Sequence, residues 1–216
     1  AYARAGACCV LAGRNIAELD ALSSELSASG ANASTLELVL DNPQSIAAAG
    51  QRVAEQMKTL DILVLNAASL GARKPITQYP ADIWRHTFEV NVHANLLMLQ
   101  AFDPLLRASP SGRVIFLSAG VATSAKAGTG SYAVSKAAVE GLARVYMIES
   151  AGTAIRVNTV NPGPTRTEMR ARAAPDEDPM TIKTPEDIAP LFVELASASC
   201  TRQGEVISAD VWIRQR

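Results

Sequence analysis

The sequence predicts an α/β fold, a doubly wound and mostly parallel sheet with helices on both faces. Short apolar runs alternate along the chain with segments whose apolar residues recur every three or four positions. Several of these runs are continuously apolar, as in strands that are buried on both faces. No repeat or low-complexity linker interrupts the pattern, and 216 residues fit one core, so a single domain over residues 1–216 is expected.

The first half of the chain provides three strand and helix pairs. The predicted strands are residues 8–12, 35–40 and 60–65. The predicted helices are residues 15–26, 45–57 and 80–106. Ile16, Leu19 and Leu22 form a stripe along the first helix, and Pro43 marks the start of the second.

The second half continues the alternation. The predicted strands are residues 113–117, 154–160 and 205–209, and the predicted helices are residues 131–149 and 186–198. In the first of these helices the expected packed side carries Ala137, Ala138, Leu142 and Val145. Residues 162–185 contain five prolines and little periodicity, which predicts a long irregular loop of the kind that often covers a site.

The composition excludes two classes of partner. Lys and Arg number 20 and Asp and Glu number 21, so the chain has no basic excess with which to neutralise a nucleic-acid backbone. No apolar run approaches the roughly 20 residues that span a bilayer, and residues 1–6 lack a signal-peptide pattern. We therefore expect a cytoplasmic protein that binds neither nucleic acid nor membrane.

The cysteines and histidines indicate neither disulfides nor a metal site. Cys8 and Cys9 are adjacent and Cys200 is alone, so no even framework exists and all three are expected to be reduced and buried. His86 and His93 have no cysteine or histidine neighbour at ligand spacing, which predicts helix surface or packing residues and no metal.

The most informative stretch follows the strand at residues 113–117. Tyr132 and Lys136 are four residues apart, so both side chains project from one face of the predicted helix. An ammonium group stabilises a nearby phenolate and lowers the pKa of the tyrosine toward the value that proton exchange with an alcohol needs. Tyr132 is therefore a candidate acid/base, whereas a chance surface pair is the alternative for these two residues taken alone.

Further polar residues lie at strand ends or on the helices beside them. Asn91 is in the middle of a predicted helix, an unfavourable place for a side chain that competes for backbone hydrogen bonds. Asn66-Ala67-Ala68 ends one apolar strand, and Asn161-Pro162-Gly163 ends another. Ligands of doubly wound folds bind at these carboxyl ends.

Taken together, these features resemble the short-chain dehydrogenase/reductase family of single-domain Rossmann-fold oxidoreductases. The resemblance covers almost the whole chain and rests on Arg14, Asn66-Ala67-Ala68, Asn91, Tyr132, Lys136, Asn161-Pro162-Gly163, Thr165 and Thr167. It implies reversible hydride transfer between a nicotinamide cofactor and a carbonyl or alcohol substrate. In that reaction Tyr132 would exchange the substrate proton, Lys136 would hold the nicotinamide ribose, and Asn91 would hold a water in a proton relay.

The resemblance also suggests which residues bind the cofactor. Arg14 follows the strand at residues 8–12, where an arginine accepts a 2′-phosphate and an acidic residue repels it, so NADP(H) is favoured over NAD(H). Asp41 would lie near the adenine, or would cap a helix instead. Asn66, Ala67 and Ala68 would lie beneath the cofactor. The nicotinamide end would be lined by Pro162, Gly163, Thr165 and Thr167.

The sequence departs from the family pattern in two places. The family's first strand and the Gly-rich turn that follows it are expected to be missing from the numbered chain. In the family, this strand lies between the strands that match residues 8–12 and 60–65. The family's substrate-orienting serine stands 13 residues before its tyrosine, where this chain has Ala119. Ser118 is the predicted substitute, although a regular strand would point it to the opposite face. Thr123, Ser124 and Ser131 are further candidates by proximity in sequence.

Two functions therefore stay open. The first is an NADP(H)-dependent oxidoreductase acting on a carbonyl or alcohol. The second, suggested by Ala119 and the missing turn, is a catalytically impaired dinucleotide-binding or scaffold protein with the same fold. The resemblance also implies a homodimer or homotetramer in which the helices at residues 80–106 and 131–149 pack against a second copy, helped by small residues at positions 133, 137, 138 and 141.

Overall fold

The computed structural model describes residues 1–216, and it confirms the predicted α/β class. The strands are β1 (Cys9–Gly13), β2 (Ala33–Glu37), β3 (Ile62–Leu65), β4 (Arg113–Leu117), β5 (Arg156–Asn161) and β6 (Val206–Ser208). The α-helices are α1 (Ile16–Ala28), α2 (Pro43–Gln56), α3 (Ala81–Phe88), α4 (Ala94–Ala108), α5 (Gly130–Glu149), α6 (Glu168–Ala173), α7 (Pro185–Ala196) and α8 (Ala209–Arg214).

All strand pairs are parallel, and they form two separate ladders. One ladder joins β1 to β2, and the other runs in the order β3-β4-β5-β6. No hydrogen-bonded pairing connects β1 with β3, so the sheet is interrupted where the family resemblance places one further strand. Because every strand runs in the same direction, all carboxyl ends of β3 to β6 lie at one edge.

Alternate residues of β4 build two hydrophobic cores. Val114 and Phe116 belong to a large core with side chains of α2, α4 and α5, whereas Ile115 belongs to a smaller core with α7 and α8. Successive strand residues point to opposite faces, so these cores lie on opposite sides of the sheet. Val114, Ile115 and Phe116 are at most 1% exposed, which explains why the sequence of β4 is continuously apolar.

The predicted helix at residues 80–106 is not one regular helix. A π-helical segment, Glu89–His93, separates α3 from α4. Asn91 lies in the middle of this segment with its side chain fully buried. Single π turns inside helices often occur at functional sites, where the altered winding redirects a side chain.

Residues 162–185 are more ordered than the predicted irregular loop. They contain the short helix α6, whose first turn is capped by the Thr167 hydroxyl. A parallel bridge between Thr165 and Lys183 and a hydrogen bond from Arg166 N to Lys183 O close the base of the segment. The segment is therefore a loop between β5 and α7 whose two ends are hydrogen-bonded to each other.

The packed side of α5 also differs from the prediction. Val145 is 53% exposed and Ala137 is exposed, whereas Val139, Ala143 and Tyr146 are buried in the large core. The helix is apolar on two sides, so a count of apolar positions does not tell which side faces the sheet.

Two smaller predictions, the length of the last strand and the burial of the cysteines, differ from the structure. The last strand is only three residues long, and the chain continues directly into α8. The three cysteines are free, as expected, but Cys8 is exposed and the other two are half-buried. None of the helices combines the length and hydropathy needed to span a membrane.

Candidate active site

The candidate site lies at the carboxyl edge of the sheet, where the first half of α5 crosses the ends of β4 and β5. Tyr132, Lys136 and Glu140 follow one another at four-residue intervals on α5. Residues at this spacing share one helix face. In this helix that face is turned toward the end of β4, since Lys136 and Glu140 both bind residues there.

Lys136 is held at the end of β4 by a backbone carbonyl. Its ammonium group donates a hydrogen bond to Leu117 O at 2.7 Å, and the residue is 3% exposed. Burial lowers the pKa of Lys136 to about 8, because the charged form loses water and no carboxylate replaces it. Two of its three N–H donors remain without a protein acceptor in the hydrogen-bond network, as a group that binds ligand hydroxyls requires.

Tyr132 lies beside this ammonium group. The Lys136 nitrogen is 5.8 Å from the centre of the Tyr132 ring. Burial alone raises the pKa of Tyr132, and its hydroxyl takes part in no hydrogen bond within the protein. A phenol without a protein partner, close to the carboxyl end of β4, is available to a ligand.

The Asn91 side chain forms hydrogen bonds with two separate segments of the site. Its Oδ1 accepts a hydrogen bond from Ser69 N at 2.6 Å, and its Nδ2 donates to Ser69 O and to Ser135 Oγ, both at 2.9 Å. Ser135 Oγ in turn donates to the carbonyl of Tyr132 at 2.8 Å. The main-chain carbonyl of Asn91 accepts from Asn95 Nδ2 at 2.7 Å. Asn91 thus connects the loop after β3 to the turn of α5 that carries Tyr132.

A second set of hydrogen bonds, which the sequence does not predict, fixes this helix. The Tyr79 hydroxyl accepts a hydrogen bond from Ala72 N at 2.6 Å and shares another with Ser131 Oγ at 2.7 Å. Gly130 has φ +40°, and a Cβ there would lie 2.1 Å from the Tyr79 ring. The only signal in the sequence is the pair Gly130-Ser131 directly before Tyr132, which does not reveal its partner 52 residues upstream.

Ser118 does not face the position that its predicted role requires. Its hydroxyl donates to Glu140 Oε1 at 2.6 Å, and the residue is 2% exposed. Ser131 is also committed, through its bond to Tyr79. The Ser124 and Thr123 hydroxyls bond to the carbonyl of Gly120. Because Ser118 points into the packing between β4 and α5, the geometry disfavours it as the substitute for a serine at position 119.

The predicted cofactor residues lie along the same edge. Asn66, Ala67 and Ala68 follow β3 and are exposed or half-exposed. Pro162 and Gly163 follow β5, and Gly163 has φ +66°, so a side chain there would be strained. Thr165 is buried and donates to the carbonyls of Pro162 and Gly163 at 3.3 Å each. Thr167 donates to Thr165 O and caps α6, so its hydroxyl is already in use.

The two charged residues expected near the adenosine end are also exposed. Arg14 directly follows β1 and forms no ion pair with a carboxylate. Asp41 is 3.6 Å from His86 Nδ1 through its Oδ2. The alternative role of Asp41 as a helix cap is wrong, because the cap of α2 is Asn42, whose side chain accepts from the backbone N–H groups of Gln44 and Ser45.

Comparison with known proteins identifies the family. A family model described as short chain dehydrogenase matches residues 1–178. The oxidoreductase YciK of Escherichia coli K12 is 36% identical over 205 residues, which cover 94% of this chain and 81% of the relative. The chain belongs to the short-chain dehydrogenase family and is an NAD(P)-dependent dehydrogenase or reductase.

Solved structures agree with this assignment. A short chain dehydrogenase from Salmonella enterica serovar Typhi CT18 superposes with a TM-score of 0.93 at 36% identity, covering 96% of this chain and 87% of that one. A short chain dehydrogenase from Escherichia coli CFT073, crystallised with NADPH, has a TM-score of 0.92 at 37% identity, covering 96% of this chain and 88% of that one.

The buried ammonium group makes stability depend on pH in a defined direction. The pKa of Lys136 falls from 10.5 to about 8 on folding, so the unfolded chain holds one more proton between these values. The cost of burying the charge is constant below pH 8 and is relieved as pH rises toward 10.5. In urea unfolding, the free energy of unfolding of the wild type minus that of Lys136→Met should therefore increase from pH 8 to pH 10.5. A difference that stays constant over this range would contradict a buried ammonium group without a carboxylate partner.

Proposed function

We propose that this protein is an NADP(H)-dependent reductase or dehydrogenase of a carbonyl or alcohol substrate, with Tyr132 as the acid/base. The observation that carries the proposal is the Tyr132 hydroxyl, which has no protein partner, next to an ammonium group fixed at the end of β4. These are the two groups that proton exchange with an alcohol oxygen requires, one to hold the proton and one to stabilise its loss.

The cofactor, when bound, supplies or accepts the hydride. In the reducing direction the hydride forms a new C–H bond at the carbonyl carbon, and the electron pair of the C=O π bond moves onto oxygen. That oxygen takes the phenolic proton of Tyr132, which leaves a phenolate that is reprotonated from solvent. The carbonyl is reduced to an alcohol, and the reverse sequence oxidises an alcohol.

Lys136 contributes in two ways to this reaction. Its positive charge lies near the Tyr132 ring and favours the phenolate, which opposes the rise in the pKa of Tyr132 that burial causes. Its two free N–H donors fit the hydroxyls of a ribose that lies against the strand ends. The Asn91 side chain uses its hydrogen bonds on Ser69 and Ser135, so its role in this proposal is to hold Tyr132 in position relative to the loop after β3.

The residues at the carboxyl edge of the sheet fit a dinucleotide that carries a 2′-phosphate. Ala67 and Ala68 leave the backbone after β3 open to close approach, and Arg14 offers an unpaired guanidinium at the end of β1. The relatives from Escherichia coli CFT073 and Shigella flexneri 2a were crystallised with NADPH and NADP. These observations support NADP(H) as the preferred cofactor of this chain.

The acid/base assignment is tested by Tyr132→Phe, which removes the transferable proton and leaves the ring. NADPH consumption with a panel of ketones and aldehydes should fall by about 10²–10⁴-fold, the usual contribution of a positioned acid or base. NADPH binding, followed through tryptophan fluorescence, should persist. Equal turnover by the variant would refute the assigned chemistry, whereas binding without turnover in the wild type would favour a scaffold protein.

Cofactor preference is tested by Arg14→Ser. Loss of a charge-assisted contact to the 2′-phosphate should weaken NADPH binding by about 10- to 100-fold and leave NADH binding nearly unchanged. Arg52→Ser, which alters an exposed arginine on α2, serves as the matched control. Titration calorimetry with both nucleotides measures the effect, and equal weakening for NADH and NADPH would remove the specific role of Arg14.

We further propose that the protein is a homodimer or homotetramer that assembles through the outer side of α5. Val134, Val145 and Ile148 are 45%, 53% and 65% exposed. With Ala138 and Gly141 they form one stripe at alternating four- and three-residue steps, which suits packing against another helix. Ala133, one of the small residues expected at this surface, instead packs inside and is 8% exposed.

A charge in the middle of this stripe tests the assembly. Val145→Glu should shift the sedimentation coefficient from that of an oligomer to that of a monomer, because a carboxylate cannot be buried unpaired between helices. Leu22→Glu, at a comparably exposed apolar position on α1, should leave assembly unchanged. A wild type that sediments as a monomer at all concentrations would exclude this interface.

A further inference from the structure

The reduction of a carbonyl places negative charge on its oxygen, and Tyr132 provides one donor for it. Preorganised second donors in such sites contribute strongly to rate, because they stabilise the charge as it develops. The neighbouring chain offers few of them. Ala119 and Gly120 carry no side-chain donor, and the hydroxyl of Ser118 is occupied by Glu140 at 2.6 Å.

Asn161, the last residue of β5, has a free amide donor at this place. Its Oδ1 accepts a hydrogen bond from Gly163 N at 3.1 Å, which fixes the orientation of the side chain. Its Nδ2 has no acceptor in the protein. Since no fully buried side-chain nitrogen of the structure lacks a partner, this Nδ2 is in contact with solvent.

The register of the sheet places this amide on the face of the sheet that is covered by α5, the helix that carries Tyr132. Val157 packs in the large core with α5, so by the two-residue period of a strand Asn161 points to the same face. Leu117, whose carbonyl binds Lys136, is paired with Val160 in the register of β4 and β5. The position that a Cβ would take on Gly120 is 3.6 Å from Asn161 Nδ2, and the absent side chain leaves room beside the amide.

We propose that Asn161 is a further catalytic residue, whose Nδ2 donates a hydrogen bond to the substrate oxygen that Tyr132 protonates. The inference rests on the proposed oxidoreductase function and extends it to the second donor of the site. Its basis is the combination of a fixed carboxamide, an unpaired and solvent-accessible N–H group, and a position on the α5-covered face of the sheet, next to the strand end that binds Lys136.

The decisive variant is Asn161→Asp. Aspartate has nearly the same shape and keeps the acceptor for Gly163 N, but it replaces the donor with a second acceptor. With a carbonyl substrate that the wild type reduces, kcat should fall by about 10²–10³-fold. KM for the substrate, NADPH binding and the melting temperature should change little. Asn32→Asp, the same chemical change at an exposed residue before β2 and so at the opposite edge of the sheet, should be without effect.

The outcomes separate this inference from the function on which it rests. If Tyr132→Phe abolishes turnover but Asn161→Asp retains it, the inference fails and the proposed function stands. If Asn161→Asp loses NADPH binding together with turnover, the amide serves the cofactor and the inference is also wrong. A wild type that reduces no carbonyl in the panel overturns both. Should the aspartate variant fail to fold, Asn161→Ser, which keeps an oxygen for Gly163 N but is too short to reach the substrate, replaces it with the same expected loss.

Discussion

The contact on which the candidate site depends is the hydrogen bond from the Lys136 ammonium group to the carbonyl of Leu117. It joins the first half of α5, at 2.7 Å, to the carboxyl end of a strand whose other four residues are buried. A buried ammonium group costs free energy unless it is solvated by fixed dipoles, and here the strand-end carbonyl provides one of them. The position of Tyr132, one turn earlier on the same helix face, follows from this attachment.

Two further contacts fix the same helix from the other side. Asn91 bonds to both backbone groups of Ser69 and to Ser135, and Tyr79 bonds to Ser131 and to Ala72. Residues on each side of Tyr132 are thus tied to the loop after β3, at the carboxyl edge of the sheet. The π-helical turn at Glu89–His93 turns Asn91 inward, so an irregular winding of one helix supports the geometry of another.

Much of the fold and part of the site could be predicted from residue patterns. The continuous apolar run at β4 and the spacing of Tyr132 and Lys136 are local features of the sequence. The structure confirms the buried strand and the shared helix face that they predict. Sequence patterns did not predict the orientation of a side chain that could contact either of two elements. The Ser118 hydroxyl could face a ligand or pack against α5, and only the position of Glu140, 22 residues away, shows that it packs against α5. Val145 likewise fits either side of an apolar helix until the sheet is in place.

The sequence by itself determined the order of strands and helices, the family resemblance and the placement of Tyr132 and Lys136 on one helix face, because periodicity and i, i+4 spacing are local properties of the chain. Only the tertiary structure decided which hydroxyl groups are hydrogen-bonded within the protein and which donors have no protein partner. Ser118, Ser131 and Thr167 are bound elsewhere, whereas the Tyr132 hydroxyl and Asn161 Nδ2 are not. A hydrogen bond between residues far apart in sequence depends on strand register and helix docking, and neither of these is encoded within any single segment.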